Sequence, residues 1–294
     1  MHSAVYAPVF HDYSDPARLV ELARVAERAG WDAIFIWDHL AIEPAGRLDV
    51  VDATVVLAAI AQATRRIRFG AMITPLARRR PWKLAKELNT LDRLSGGRAM
   101  LGVGLGEPAA VEFGSFGEDP SPQARARRLD EGLAILDPLL RGETVTHHGE
   151  FYRLTNAALA PRSVQRPRVP IWVAASLPAR AGLRRAARWN GVFPIKVPQA
   201  IAEGTVSHAD WSQWWLSPAE LAQASAYVHS LRQDATPYAV TATGRLADEA
   251  PAAAAARLAE FRAAGANWWL EWLDDAPGSY SRTLAGIARG VPGR

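Results

Sequence analysis

The stretch WDAIFIWDHL, residues 31–40, places four apolar residues, Ala33, Ile34, Phe35 and Ile36, directly before Trp37-Asp38-His39. A short apolar run with β-branched and aromatic members reads as a buried strand, and this one stops abruptly in polar residues. Helical patterns flank it. DPARLVELARVAERAG precedes it, with Asp15 as N-cap, Pro16 at N1 and Gly30 as the C-terminal stop, and DVVDATVVLAAIAQAT follows.

The same alternation of strand and helix runs through the chain. SAVYAPVF precedes the first helix; RIRFGAMITPL leads into PWKLAKELNTLDRLSGG, and RAMLGVGLG into SPQARARRLDEGLAILDPLLRG, where Leu129, Leu133, Leu136 and Leu140 form one stripe. PIWVAAS, GVFPIK, PYAVTATGR and ANWWLEWLD are the remaining strands, each with a helical stretch behind it. Two segments break the rhythm. Residues 143–170 are polar and proline-rich and read as a β excursion or extended insertion, and 197–216 form a second insertion. Eight βα units predict a (β/α)8 barrel as one domain over 1–294, with an open doubly wound sheet as the alternative.

Composition narrows the chemistry. With 294 residues, 49% of them hydrophobic, the chain can bury a large core. Having no Cys, it has no disulfide, thiolate metal site or Cys nucleophile. The net charge of +4 comes with few Lys and with Arg spread along helices, which does not describe a nucleic-acid surface. No apolar run reaches a membrane span and the N-terminus lacks a signal-peptide layout, so the expected location is the cytoplasm.

In a barrel, working residues sit after the strands. That rule selects Asp38 and His39, Thr74 and Arg78-Arg79-Arg80, Gly104, Gly106 and Glu107, Ser176, Lys196 and Glu271. His39 is the choice for proton chemistry, its plain alternative being a loop histidine bonded to backbone. Glu107 follows GVGLG, whose glycines let something approach the backbone closely; otherwise it is a helix-capping carboxylate. Pro108 in GVGLGEP argues against a dinucleotide loop. Ser176 could hold a phosphate with the neighbouring amides and Arg180, or merely cap a helix.

A metal site finds no support in the spacing of His39, His147, His148 and His208. Trp211, Trp214 and Trp215 in the second insertion are candidates for an apolar lid suited to a planar ring or greasy substrate. On the last strand, Trp268 and Trp272 are expected to pack outward against helices, opposite Trp269 and Glu271.

AERAGWDAIFIWDHL, GAMITPLARRRPWKLAKELNTLDRLSGGRAMLGVGLGEP, EFGSFGE, RLDEGLAIL and PIWVAASLPARAGLRRAARWNGVFP together resemble the bacterial-luciferase-like family of flavin- and F420-dependent oxidoreductases. The resemblance implies a (β/α)8 barrel with reduced FMN or coenzyme F420 at its C-terminal mouth, and a non-prolyl cis peptide near Ala71-Met72. It implies His39 and Glu107 as catalytic residues, and Asp38, Ala71, Met72, Thr74, Gly104, Gly106, Ala175, Ser176, Leu177 and Arg180 around the cofactor. A phosphate-holding loop would fall on Ser176, Leu177 and Arg180, although AASLPAR lacks the glycines common there. The family also implies a small-molecule substrate, a homodimer and, for FMN, a separate flavin reductase. Rival readings are an F420-dependent hydride-transfer enzyme without oxygen chemistry, a metal-dependent barrel hydrolase and a non-catalytic flavin-binding protein.

Overall fold

The computed structural model describes residues 1–43, 47–198, 211–233, 236–247 and 249–291. Ten strands occur among them: β1 (His2–Ala7), β2 (Ala33–Ile36), β3 (Arg68–Pro75), β4 (Ala99–Gly104), β5 (Val145–His148), β6 (Arg153–Ala157), β7 (Ile171–Leu177), β8 (Gly191–Lys196), β9 (Ala239–Gly244) and β10 (Trp268–Trp272). Eight of them close a parallel barrel in the order β1-β10-β9-β8-β7-β4-β3-β2. Closure occurs where β1 pairs with β10, Tyr6 standing opposite Trp272. The fold is the (β/α)8 barrel, and the open-sheet alternative falls.

The helices form where local chemistry starts and stops them. In α1 (Pro16–Arg28) the Asp15 carboxylate accepts the Ala17 amide, and in α2 (Ala53–Ala63) Asp52 accepts that of Val55. The next helix, α3 (Pro81–Ser95), ends on Gly96 in the left-handed conformation, φ 69°, which glycine adopts without a Cβ penalty. A four-residue turn, α4 (Ala109–Glu112), precedes α5 (Pro122–Arg141), which buries Leu129, Leu133, Leu136, Leu139 and Leu140. After α6 (Ala181–Ala186) come α7 (Pro218–Leu231), α8 (Pro251–Ala263) and α9 (Tyr280–Ala288).

Within 143–170 the β excursion is an antiparallel hairpin of β5 and β6. Most of the second insertion, with His208, lies outside the described residues; its end, Trp211–Trp214, is a 3-10 turn. Among the described residues no helix is long and apolar enough to cross a membrane.

The last strand faces the other way from the expectation. Trp272 reaches the cavity at the C-terminal mouth and Trp268 packs 5.0 Å from Trp172, whereas Trp269 lies 5.5 Å from Phe261 of α8. Period two is right but its phase is not set by composition, because all five residues of this strand are buried.

Candidate active site

A cavity of about 480 Å³ opens at the C-terminal ends of the barrel strands. That volume falls within the roughly 300–1,000 Å³ of small-molecule and cofactor sites. Its walls include Tyr6, Met72, Ile73, Phe193 and Ile195 from the barrel, and Trp37, Trp211, Trp214 and Trp272 around the rim. Asp38, His39, Glu107, Gln123, Ser176 and Arg185 are its polar or charged lining residues besides the tyrosine and tryptophans.

His39 is held by a residue that strand-end reasoning did not select. Its Nδ1 lies 3.0 Å from Oε1 of Glu112, which also accepts the Leu40 amide at 3.0 Å. Glu112, 1% exposed on α4, is ion-paired with Arg78. An ionised carboxylate only accepts, so Nδ1 carries the hydrogen and Nε2 bears the lone pair. Burial, reinforced by the Arg78 charge and opposed by Asp38, pushes the His39 imidazole down to about 4. His39 is therefore neutral at ordinary pH.

Asp38 serves the same scaffold. Arg78 and Arg79 reach its carboxylate at 2.7 and 2.8 Å, and Arg78 also touches its carbonyl oxygen. Burial would raise this carboxyl, but the two guanidiniums outweigh it and hold the group below its usual range. Arg78 thus ties the end of β2 to α4 through Asp38 and Glu112.

Glu107 lines the cavity and also caps. Its Oε2 accepts the Ala109 amide at 2.9 Å, and its Oε1 accepts from Arg125 at 3.1 Å. Arg125 is itself buried, bonded to the carbonyls of Gly106, Leu105 and Pro120 and stacked 5.4 Å from Phe113.

The glycines of GVGLG make room for protein. A Cβ on Gly104 would lie 2.6 Å from Cγ2 of Ile73, and one on Gly102 would lie 2.9 Å from the Ala71 carbonyl oxygen. What approaches the backbone of β4 is the irregular segment of β3, whose register with β4 shifts between Ala71 and Thr74. The non-prolyl cis bond expected near Ala71-Met72 is found at Met72-Ile73.

Of the expected cofactor-binding residues, Asp38, Met72, Gly106 and Ser176 lie on the cavity wall. Ala71 and Thr74 border a small void behind β3, and Gly104, Ala175 and Leu177 are off the wall. Arg180 points elsewhere, its guanidinium stacked 4.7 Å over Tyr227. Arg185 reaches the wall instead, bound to Asp130 through two nitrogens at 2.6 and 2.8 Å. Two strand-end candidates also turn away. Lys196 pairs with Glu220 at 3.2 Å, and Glu271 faces outward, accepting the amides of Leu246 and Ala247 and the Trp269 indole.

Trp37 both packs and lines the cavity, 4.9 Å from Trp211 and 5.3 Å from Trp272. His147 pairs with Glu131 while His148 is exposed, so the two rings diverge. Among the described residues no group of three or more His, Asp or Glu is arranged to hold a metal ion.

With this geometry in place, the comparison with known families is informative. The sequence model of the luciferase-like monooxygenase family matches residues 1–289. The chain belongs to that family. One relative, the uncharacterized protein y4wF of Sinorhizobium fredii (strain NBRC 101917 / NGR234), is 36% identical over 196 residues, 67% of this chain and 55% of that protein. An F420-dependent glucose-6-phosphate dehydrogenase of Microbacterium testaceum (strain StLB037) is 34% identical over 170 residues, 57% of this chain and 49% of the other. The matches thus span about half the length of these relatives. An F420-dependent secondary alcohol dehydrogenase shares the fold with a TM-score of 0.76 at 17% identity, over 99% of this chain and 98% of that one. The monooxygenase RslO1 of Streptomyces bottropensis does so with a TM-score of 0.70 at 21% identity, over the same shares. At such identities the likeness is one of fold.

Proposed function

We infer that this luciferase-like protein is an oxidoreductase that binds a flavin-type cofactor at the mouth of its barrel, and that hydride transfer with coenzyme F420, oxidised or reduced according to direction, is the reading the site supports best. The observation that carries it is His39, whose ring lines the cavity and whose Nδ1 is anchored by Glu112, which leaves Nε2 as the nitrogen for a ligand. The cavity fits a planar ring, since Met72, Ile73, Phe193 and Ile195 offer apolar surface on which such a ring can lie. Met72, Ile73 and Gly106 would border the ring, and Ser176 its side chain.

When bound, F420 would accept or donate a hydride. Moving a hydride off an alcohol carbon also releases a proton from its hydroxyl, and Nε2 of His39 is the acceptor for that proton. In the reverse direction the protonated imidazole returns it to a carbonyl oxygen. Glu107 would set the charge at the mouth and pass protons outward. Trp37, Trp211 and Trp214 would exclude water.

A second reading, monooxygenation with reduced FMN supplied by a separate reductase, draws on that aromatic rim, because oxygen chemistry also needs a dry site. Titration of the purified chain with F420 and with FMN, followed by fluorescence, separates the two: tight binding of F420 and weak binding of FMN is expected, and the opposite order overturns the F420 reading. His39→Ala should retain cofactor binding and lose roughly 10²- to 10⁴-fold in kcat; near-unchanged turnover would remove His39 from the mechanism.

A further inference from the structure

The curated F420-dependent relatives act, by name, on glucose 6-phosphate, a dianionic, many-hydroxyl substrate. Its phosphate would need cations free to meet it. Among the described residues Arg185 is the one Lys or Arg on the cavity wall, and its Nε and one terminal nitrogen are held by Asp130. Lys196 turns to Glu220, and Arg245 to the carbonyls of Trp272 and Leu273.

The rim beside His39 is instead aromatic. Trp37 lies 5.9 Å from the His39 ring and packs against Trp211 and Trp272, with Trp214 next to Trp211. Two of these residues carry an unmet demand. The indole N–H groups of Trp37 and Trp272 are buried without an acceptor, although the residues are only 5% and 3% exposed. Buried donors nearly always have partners, so an acceptor oxygen arriving with a ligand would complete this wall.

From these observations we propose that the substrate is an uncharged molecule with an apolar, ring-sized body and one carbonyl or hydroxyl oxygen, and that sugar phosphates are not accepted. The ring body lies against the tryptophans, and the oxygen lies within reach of His39 and the free indoles. This assignment rests on the redox reading for its consequence, but binding can be measured without it.

The test uses the full chain without added cofactor and three probes: the neutral bicyclic ketone 1-tetralone, its oxygen-free analogue tetralin, and glucose 6-phosphate. Calorimetry and saturation-transfer NMR report affinity. The ketone should bind at least about tenfold more tightly than glucose 6-phosphate and several-fold more tightly than tetralin. Trp214→Ala should weaken the ketone about fivefold or more, and Trp37→Phe, which keeps a ring and removes the N–H, should narrow its advantage over tetralin. Glucose 6-phosphate binding as tightly as the ketone, or ketone binding indifferent to both variants, overturns the proposal. A chain that binds the ketone and never exchanges a hydride with F420 keeps this assignment and loses the F420 reading.

Discussion

His39 shows how much a single side chain owes to its neighbours. An exposed imidazole titrates near 6.5, whereas this one stays neutral to about 4 because burial and Arg78 oppose its charge. Glu112 decides which nitrogen keeps the hydrogen. Glu112→Gln should therefore lower kcat by roughly tenfold or more with KM little changed, and ¹⁵N shifts of the His39 ring should show mixed tautomers; a single unchanged tautomer would make Glu112 merely structural. Glu271 illustrates the opposite titration. Burial, resisted by the Trp269 indole and two amides, raises it from 4.5 to about 7. Below 4.5 both folded and unfolded chains hold this proton. As pH rises from 4.5 toward 7 the unfolded chain releases it first, so the contribution of Glu271 to stability is lost across that interval. Denaturation midpoints across this window should fall less steeply with rising pH in Glu271→Gln than in the wild type. His39 and Asp38 were visible in sequence as residues at a strand's end. Glu112 was not, because it lies beyond β4 on a four-residue turn that has no periodicity of its own.

At the scale of elements, β3 and β4 shape the floor of the site together. The glycines of β4 accommodate Met72 and Ile73, which the irregular β3 thrusts toward the cavity. Gly104→Ala should cost about 1–3 kcal/mol in chemical denaturation, the usual price of overpacking, and should weaken cofactor binding because Ile73 must give way; an unchanged denaturation midpoint would show that the strand can absorb a methyl. Helix ends were readable where a capping side chain stood beside a Pro, as at Asp15-Pro16. The phase of β10 was not, since a strand buried on both faces shows no polar side. The placement of Arg180 in the loop after β7 was not legible either. Arg180 follows Ser176 closely enough to share a phosphate, but its guanidinium finds the Tyr227 face on another helix.

For the whole molecule, Arg98 acts as a clasp between successive βα units. Its guanidinium donates to the carbonyls of Ala61, Thr64, Ile67 and Ser95 and to the Thr64 hydroxyl, joining the ends of α2 and α3 to the start of β3. A lysine has three donors on one atom and cannot span that set. Arg98→Lys should therefore destabilise the barrel by about 2–4 kcal/mol in urea, while kcat of the folded fraction stays near wild type; a drop in kcat without loss of stability would refute a purely architectural role. Barrel class, strand count, helix caps and the polar residues ending β2 follow from the order of amino acids, because hydrophobic period and capping are local properties. The pairing of Glu112 with His39, the outward turn of Glu271, the capture of Arg180 by Tyr227 and the tryptophan rim required the closed barrel. Each joins residues distant in the chain, and such contacts depend on which strands become neighbours and how far each side chain reaches.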